Sequence, residues 1–253
     1  MKITFLGTGT STGVPEIGCH CEVCRSRDPR DRRLRTSVLV ETDGKRILLD
    51  CGPDFRWQML KQGIEQLDAV LLSHEHYDHV SGLDDLRPFL YHHALKIYAE
   101  EDVVEAIRTR LPYAFREHLY PGVPQLNLQA VGLEAFDAAG IRVQPIRVMH
   151  GQLPILGFRI GAMAYLTDLK TLPESSYAHL KDLDILVLDA LRHDSRHFSH
   201  EGVSEALQQI ERIRPKRTYL IHMSHKIGLH RIVAEALPAN VFLAYDGLEV
   251  QPV

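Results

Sequence analysis

Apolar residues in this chain gather into short runs of strand character, and a histidine or an aspartate closely follows six of them. The first run, 2–6, leads into a glycine-rich loop at 7–13 whose small residues let the backbone pass close to something else. Runs with β-branched content follow at 37–41 and 45–49, and the intervening Thr42-Asp43-Gly44 contains Asp-Gly, a strong hairpin signal. Further apolar runs lie at 69–72, 141–148, 158–160, 164–166, 185–188 and 218–221. Asp50, His74, His150, Asp168, Asp189 and His222 stand at the exits of such runs, so aligned strands would gather them along one edge of a sheet system.

Helical periodicity is rarer. Residues 55–61 predict a helix ending near Gly63, and Val203, Ala206, Leu207, Ile210 and Ile213 recur at the spacing of an amphipathic helix packed on a sheet. The stretch 101–128 reads as a helix followed by a proline-containing loop. No linker, low-complexity arm or short-period repeat divides the chain, which predicts one domain over 1–253. Pattern alone gives the class as α/β.

A chain of 253 residues with 45% hydrophobic content can bury a sizeable core. No apolar run approaches the roughly 20 residues that cross a bilayer. The opening Met1-Lys2-Ile3-Thr4-Phe5-Leu6 enters the glycine loop without a signal-peptide pattern, so a soluble, cytoplasmic protein without membrane contact is expected. A formal charge of −4 gives little attraction for a long polyanion, which makes nucleic acid an unexpected partner. Arg25, Arg27, Arg30, Arg32, Arg33 and Arg35 crowd one stretch with Asp28 and Asp31 among them. For most of these arginines a solvated, ion-paired loop is favoured over a phosphate grip.

Candidate chemistry concentrates in two segments. His74-Glu75-His76-Tyr77-Asp78-His79 packs three imidazoles and an aspartate behind an apolar run, and these are ligands that zinc, manganese and iron accept at neutral pH. Gly18-Cys19-His20-Cys21-Glu22-Val23-Cys24 supplies three thiolates at Cys-x-Cys-x-x-Cys spacing, suited to a tetrahedral structural zinc that still needs a fourth ligand. His225 is the candidate for that place, with His20 as a competitor; reduced or redox-active thiols are the alternative. Cys51 stands apart and reads as a buried small thiol.

The His-x-His-x-Asp-His pattern, with His150, Asp168 and His222 at later strand exits, resembles the metallo-β-lactamase superfamily in its branch of PhnP-like phosphodiesterases and RNase Z. The resemblance runs from Thr8-Gly9-Thr10 and Gly13-Val14-Pro15 through the cysteine knuckle to Tyr245-Asp246-Gly247-Leu248-Glu249. It implies a four-layer αββα sandwich with a zinc knuckle inserted near 18–25. It also implies His74, His76 and His150 on one divalent ion, Asp78, His79 and His222 on another, and Asp168 bridging the two. Cys19, Cys21, Cys24 and His225 would hold a structural zinc. The catalytic pair would be manganese or zinc, and solvent shared by it would ionise near neutral pH.

His200, in Ser199-His200-Glu201-Gly202, resembles the histidine loop that this branch places near the scissile phosphate. It is the expected general acid, ahead of His193 and His197, and Asp78 joins it as a catalytic residue. Asp50 and Asp189 are read either as groups that orient ligands or as ordinary strand-end turn residues.

The function that the resemblance implies is hydrolysis of a small cyclic phosphodiester, 5-phosphoribosyl 1,2-cyclic phosphate or a related compound, by a homodimer. A tRNA 3′-end endonuclease and a non-catalytic carrier from cofactor biosynthesis are the alternatives. Thioester or lactone hydrolysis is also open to the same chemistry.

Overall fold

Alternation in the apolar runs gives most strands two apolar faces, so each must be covered twice. Val38, Val40, Ile47, Leu49, Ala69 and Leu71 point to one side, and Leu39, Leu48 and Val70 to the other; all are buried. The computed structural model of the protein describes residues 1–90, 95–118, 122–194 and 197–252.

Among the described residues, one sheet runs β14 (Glu249–Val250), β1 (Lys2–Gly7), β2 (Ser37–Thr42), β3 (Lys45–Leu49), β4 (Ala69–Leu71), β5 (Lys96–Ala99) and β6 (Asn127–Ala130) from edge to edge. The other runs β13 (Val241–Leu243), β12 (Arg217–Ile221), β11 (Ile185–Asp189), β10 (Met163–Leu166), β9 (Leu153–Ile160), β8 (Ile141–His150) and β7 (Phe136–Ala138). Their inner faces share one core in which Phe5, Val38 and Ile47 join Phe158, Tyr165 and Val187.

Helices α1 (Phe55–Gln62), α2 (Tyr77–Val80), α3 (Arg87–Leu90) and α4 (Glu101–Arg110) cover the outer face of the first sheet through Phe55, Met59, Val80, Phe89, Val103 and Ile107. Helices α5 (Val203–Ile213) and α6 (His230–Ala236) cover the second through Val203, Ala206, Ile210 and Val233. The order helix, sheet, sheet, helix is the αββα sandwich that the resemblance implied. No helix among the described residues is long and apolar enough to cross a membrane.

Most predicted elements stand within a residue or two of their expected bounds. Strands β5, β6, β7, β13 and β14 were not expected. They have two to four residues each, too few for period-2 alternation to register. Strand β9 begins at Leu153, ahead of the predicted 158, because Pro154 and Gly157 interrupt its apolar pattern. The loop expected within 101–128 includes β6 at its end, and its residues 119–121 lie outside the described residues.

Candidate metal centre

The strand exits meet as the pattern predicted. Strands β3 and β4 are parallel, as are β10, β11 and β12. Strands β8 and β10 both pair antiparallel with β9, so β8 points the same way as β10. Three of the exits turn sharply: Asp50, Asp168 and His222 adopt left-handed φ of 61°, 52° and 57°, a conformation rare for residues with a Cβ and concentrated at functional sites. Gly52 lets the loop after β3 pass under α2, since a Cβ there would stand 2.0 Å from the Asp78 carbonyl oxygen.

Asp168 lies between two sets of imidazoles. Its Oδ2 is 3.7 Å from His74 Nε2, and its Oδ1 is 3.2 Å from His79 Nε2 and 3.4 Å from His222 Nε2. His74, His76, His150 and Asp168 offer ligand atoms all within 4.8 Å of one another, and so do Asp78, His79 and His222. Asp78 Oδ2 is 3.2 Å from His79 Nε2 and 3.3 Å from His222 Nε2. The Nε2 atoms of His74 and His79 are buried without a hydrogen-bond partner. Buried nitrogens left unpaired are costly, and a cation placed among these donors would satisfy both. The nitrogen and carboxylate set thus fits borderline divalent ions of the zinc and manganese kind.

Buried hydrogen bonds behind the centre fix which nitrogen faces inward. Asp50 accepts from His79 Nδ1 at 2.8 Å, the Ser73 amide at 2.8 Å, Ser73 Oγ at 3.0 Å and Tyr165 Oη at 2.8 Å. The Ser73 hydroxyl proton is committed to Asp50, so His74 Nδ1, 2.9 Å from Ser73 Oγ, must be the donor in that pair. Both imidazoles are thereby held with Nε2 bare toward the centre, the usual arrangement behind metal-binding histidines. His150 Nδ1 donates to the carbonyls of Asp168 and Ser199, each at 3.0 Å. The sequence reading gave Ser73 and Tyr165 no role at the site; the position of Ser73 beside His74 was the one available signal.

The electrostatics favour a cation at the same place. Burial pushes the Asp78 and Asp168 carboxyls up, but the neighbouring imidazoles outweigh it and hold both well below the usual carboxylate range. Burial pushes His79 and His222 down, yet Asp168 and Asp78 overcome it; His79 is driven well above its ordinary value and His222 to about 9. His74 is held well below the ordinary value by burial and by His79. Carboxylates that raise two buried imidazoles in this way supply the negative potential that would draw divalent ions in place of protons.

His200 closes the site from above. Its Nδ1 donates to Asp189 Oδ2 at 3.0 Å, which turns Nε2 toward the centre, 3.9 Å from Asp168 Oδ2. Asp189 Oδ1 is 3.6 Å from His222 Nδ1, so one carboxylate addresses both rings. Of the two competitors, His197 lies behind His200 with ring centroids 5.1 Å apart, and His193 is exposed.

The knuckle assembles beside this centre. Ligand atoms of Cys19, Cys21, Cys24 and His225 lie within 4.8 Å of one another, and Cys24 Sγ is 3.3 Å from His225 Nδ1. The Cys24 amide hydrogen bond lowers the Cys21 thiol below its ordinary value. His20 is not in the cluster. Gly9 lies against the segment that joins the two sites: a Cβ there would meet Arg33 Cβ and its carbonyl oxygen at 2.9 Å, and the loop around Gly9 pairs with Met223, between His222 and His225, Thr8 O accepting from the Met223 amide at 3.0 Å.

Arg33 departs from the solvated loop expected of its neighbours. It is 3% exposed and donates to Thr8 Oγ1 at 2.9 Å and the Ala244 carbonyl at 2.7 Å.

The β-lactamase superfamily domain profile matches residues 45–223, a span that contains all seven expected ligands of the catalytic pair. The chain belongs to the β-lactamase superfamily, in its PhnP-like branch. It is similar to a crystallised diphosphatase of the PhnP family, with a TM-score of 0.92 and 41% identity over 98% of this chain and 96% of that one.

It is also 51% identical over 251 residues to an octanoyltransferase of Porphyromonas gingivalis, covering 98% of this chain and 51% of the relative. The chain thus spans about half the length of that protein. Zinc-bound PqqB from Methylobacterium extorquens shares the fold at a TM-score of 0.80 and 21% identity, over 99% of this chain and all of that one.

Proposed function

We propose that the protein is a binuclear metal-dependent phosphodiesterase acting on a small phosphodiester, with 5-phosphoribosyl 1,2-cyclic phosphate or a close relative as substrate. The observation that carries this reading is the placement of Asp168, with one carboxylate oxygen toward His74 and the other toward His79 and His222. In this proposal His74, His76 and His150 hold one ion, Asp78, His79 and His222 hold the second, and Asp168 joins them. Cys19, Cys21, Cys24 and His225 hold a structural zinc. Divalent ions bound there supply Lewis acidity and lower the pKa of water.

The protein's own groups do the rest. Attack of water on phosphorus breaks the bond to the leaving alkoxide, which takes a proton from His200 Nε2 and leaves a phosphomonoester; the proton given up by the water passes to solvent, and a proton from solvent restores His200. Asp189 accepts from Nδ1 and so supports the charged ring before the transfer and keeps Nε2 aimed at the leaving oxygen. Similarity to a diphosphatase of the same family supports chemistry at phosphorus. The octanoyl transfer of the longer relative is not carried over, since half of that chain has no counterpart here. A carrier role fits poorly with a complete ligand set.

The deciding experiment incubates manganese-loaded protein with the ribosyl cyclic phosphate and, separately, with precursor tRNA. Opening of the cyclic phosphate with slow or no tRNA cleavage is expected. Efficient tRNA processing would overturn the small-substrate reading, and inertness toward both would favour a carrier.

A further inference from the structure

The peptide unit between His200 and Glu201 is held at both ends by the two residues that follow Asp168. The Glu201 amide donates to the Leu169 carbonyl at 2.8 Å, and the His200 carbonyl accepts from Lys170 Nζ at 3.2 Å. On the far side of Glu201, its carbonyl accepts from the Leu191 amide at 3.0 Å and its carboxyl from Gln209 Nε2 at 2.9 Å.

Lys170 is itself anchored. Its amide donates to the Met149 carbonyl at 2.8 Å, one residue before His150. Its Nζ also meets Glu205 Oε1 at 2.9 Å, and Glu205 Oε2 accepts from the Gly202 amide at 3.0 Å. A chain of charge-assisted contacts therefore runs from the His200 carbonyl through Lys170 and Glu205 to Gly202, bracketing Glu201 on both sides. Such contacts are about twice as strong as those between neutral groups.

Two frames thus converge on His200. Asp189 holds the ring through Nδ1 and refers it to β11, whereas Lys170 holds the main chain and refers it to the exits of β8 and β10, where His150 and Asp168 stand. Where Nε2 lies relative to the centre depends on both.

We propose that Lys170 is a positioning residue for proton transfer, fixing the main chain of His200 against the Asp168 loop so that Nε2 meets the leaving oxygen. The proposal rests on the phosphodiesterase reading, in which His200 protonates the leaving alkoxide. Without the lysine, the His200 carbonyl and the half-buried Glu205 carboxylate lose their shared donor, and the 200–201 unit is held at its amide end alone. A shift of about 1 Å in a reacting group can cost about 100-fold in rate.

Dependence on the leaving group separates this role from a general loss of structure. The alkoxide expelled from 5-phosphoribosyl 1,2-cyclic phosphate needs a proton, whereas the p-nitrophenolate expelled from bis(p-nitrophenyl) phosphate needs little help. In the metal-loaded protein, Lys170→Met is expected to lower the ratio of their kcat values, alkoxide over p-nitrophenolate, by about 10- to 100-fold with KM little moved. Lys170→Arg should recover most of the ratio. His200→Ala should lower the same ratio, and Lys170→Met added to it should lower it no further, since both changes act through one ring. Should Lys170→Met fail to fold, Glu205→Gln frees the lysine from its second partner and should move the ratio the same way by a smaller factor.

A ratio that does not move, equal losses on both substrates, or a Lys170→Met effect undiminished in His200→Ala would overturn the proposal. A readout without turnover is the ring proton signal of His200 in the zinc-loaded protein, identified by its loss in His200→Ala. It should shift or broaden in Lys170→Met, and an unchanged signal would equally overturn the proposal. If neither substrate is hydrolysed the phosphodiesterase reading falls, and the ring signal still decides whether Lys170 positions His200.

Discussion

Asp50 touches no proposed ligand atom, yet it decides how two of them present themselves. Its carboxylate gathers His79, Ser73 and Tyr165, and through Ser73 it also fixes the tautomer of His74. Asp50→Asn keeps the shape and removes the charge, so affinity for the catalytic ions should fall by about 10- to 100-fold, as for other groups behind metal ligands. Metal retained after dialysis against a graded chelator, with circular dichroism to confirm the fold, measures this; unchanged retention would show that the ligands need no such support. Asp189 has the matching role for His200. Asp189→Asn should lower kcat far more than it raises KM, because the group it orients acts on the leaving alkoxide.

At the scale of elements, the knuckle and the loop after β12 form one unit, with His222 at the catalytic centre and His225 beside Cys24 three residues later. Cys21→Ser should therefore release one zinc and lower Tm, with catalytic loss following from the loosened His222 loop. Equal catalytic loss with no change in Tm or zinc would deny the knuckle a structural role. The convergence of His74, His150, Asp168 and His222, four of the proposed ligands, was legible in sequence because each stands at the end of a run of apolar residues, and strands running the same way end along one edge. Ser73 and Tyr165 escaped notice because a serine and a buried tyrosine carry no spacing of their own; only the folded sheet brings Tyr165 of β10 to Asp50 after β3. Arg33 escaped for a related reason, since within its run nothing distinguishes the one guanidinium that becomes buried from those left in solvent.

Across the whole molecule, Arg33 links the N-terminal half to the last segment, together with Thr8, His230, Asp31 and Asp246. Burial and the Arg33 guanidinium hold His230 down to about 4, while burial raises Asp246 to about 6. The two oppose each other. Below its unfolded pKa of about 6.5, His230 takes up a proton in the unfolded chain that the fold refuses, so its contribution is lost as pH falls toward 4. Asp246 contributes fully below about 4 and loses that contribution as pH rises through 6. Asp246→Asn should thus make stability rise more steeply between pH 4 and 6, and His230→Gln should flatten or reverse that rise; denaturant midpoints against pH check both.

The central claim is that seven side chains from distant parts of the chain hold a pair of divalent ions. Elemental analysis of the purified, metal-saturated protein beside Asp168→Ala tests it most directly. Three ions per chain are predicted, falling to the knuckle zinc alone in the variant; a single ion in the parent protein, or a count unchanged by Asp168→Ala, would contradict the account.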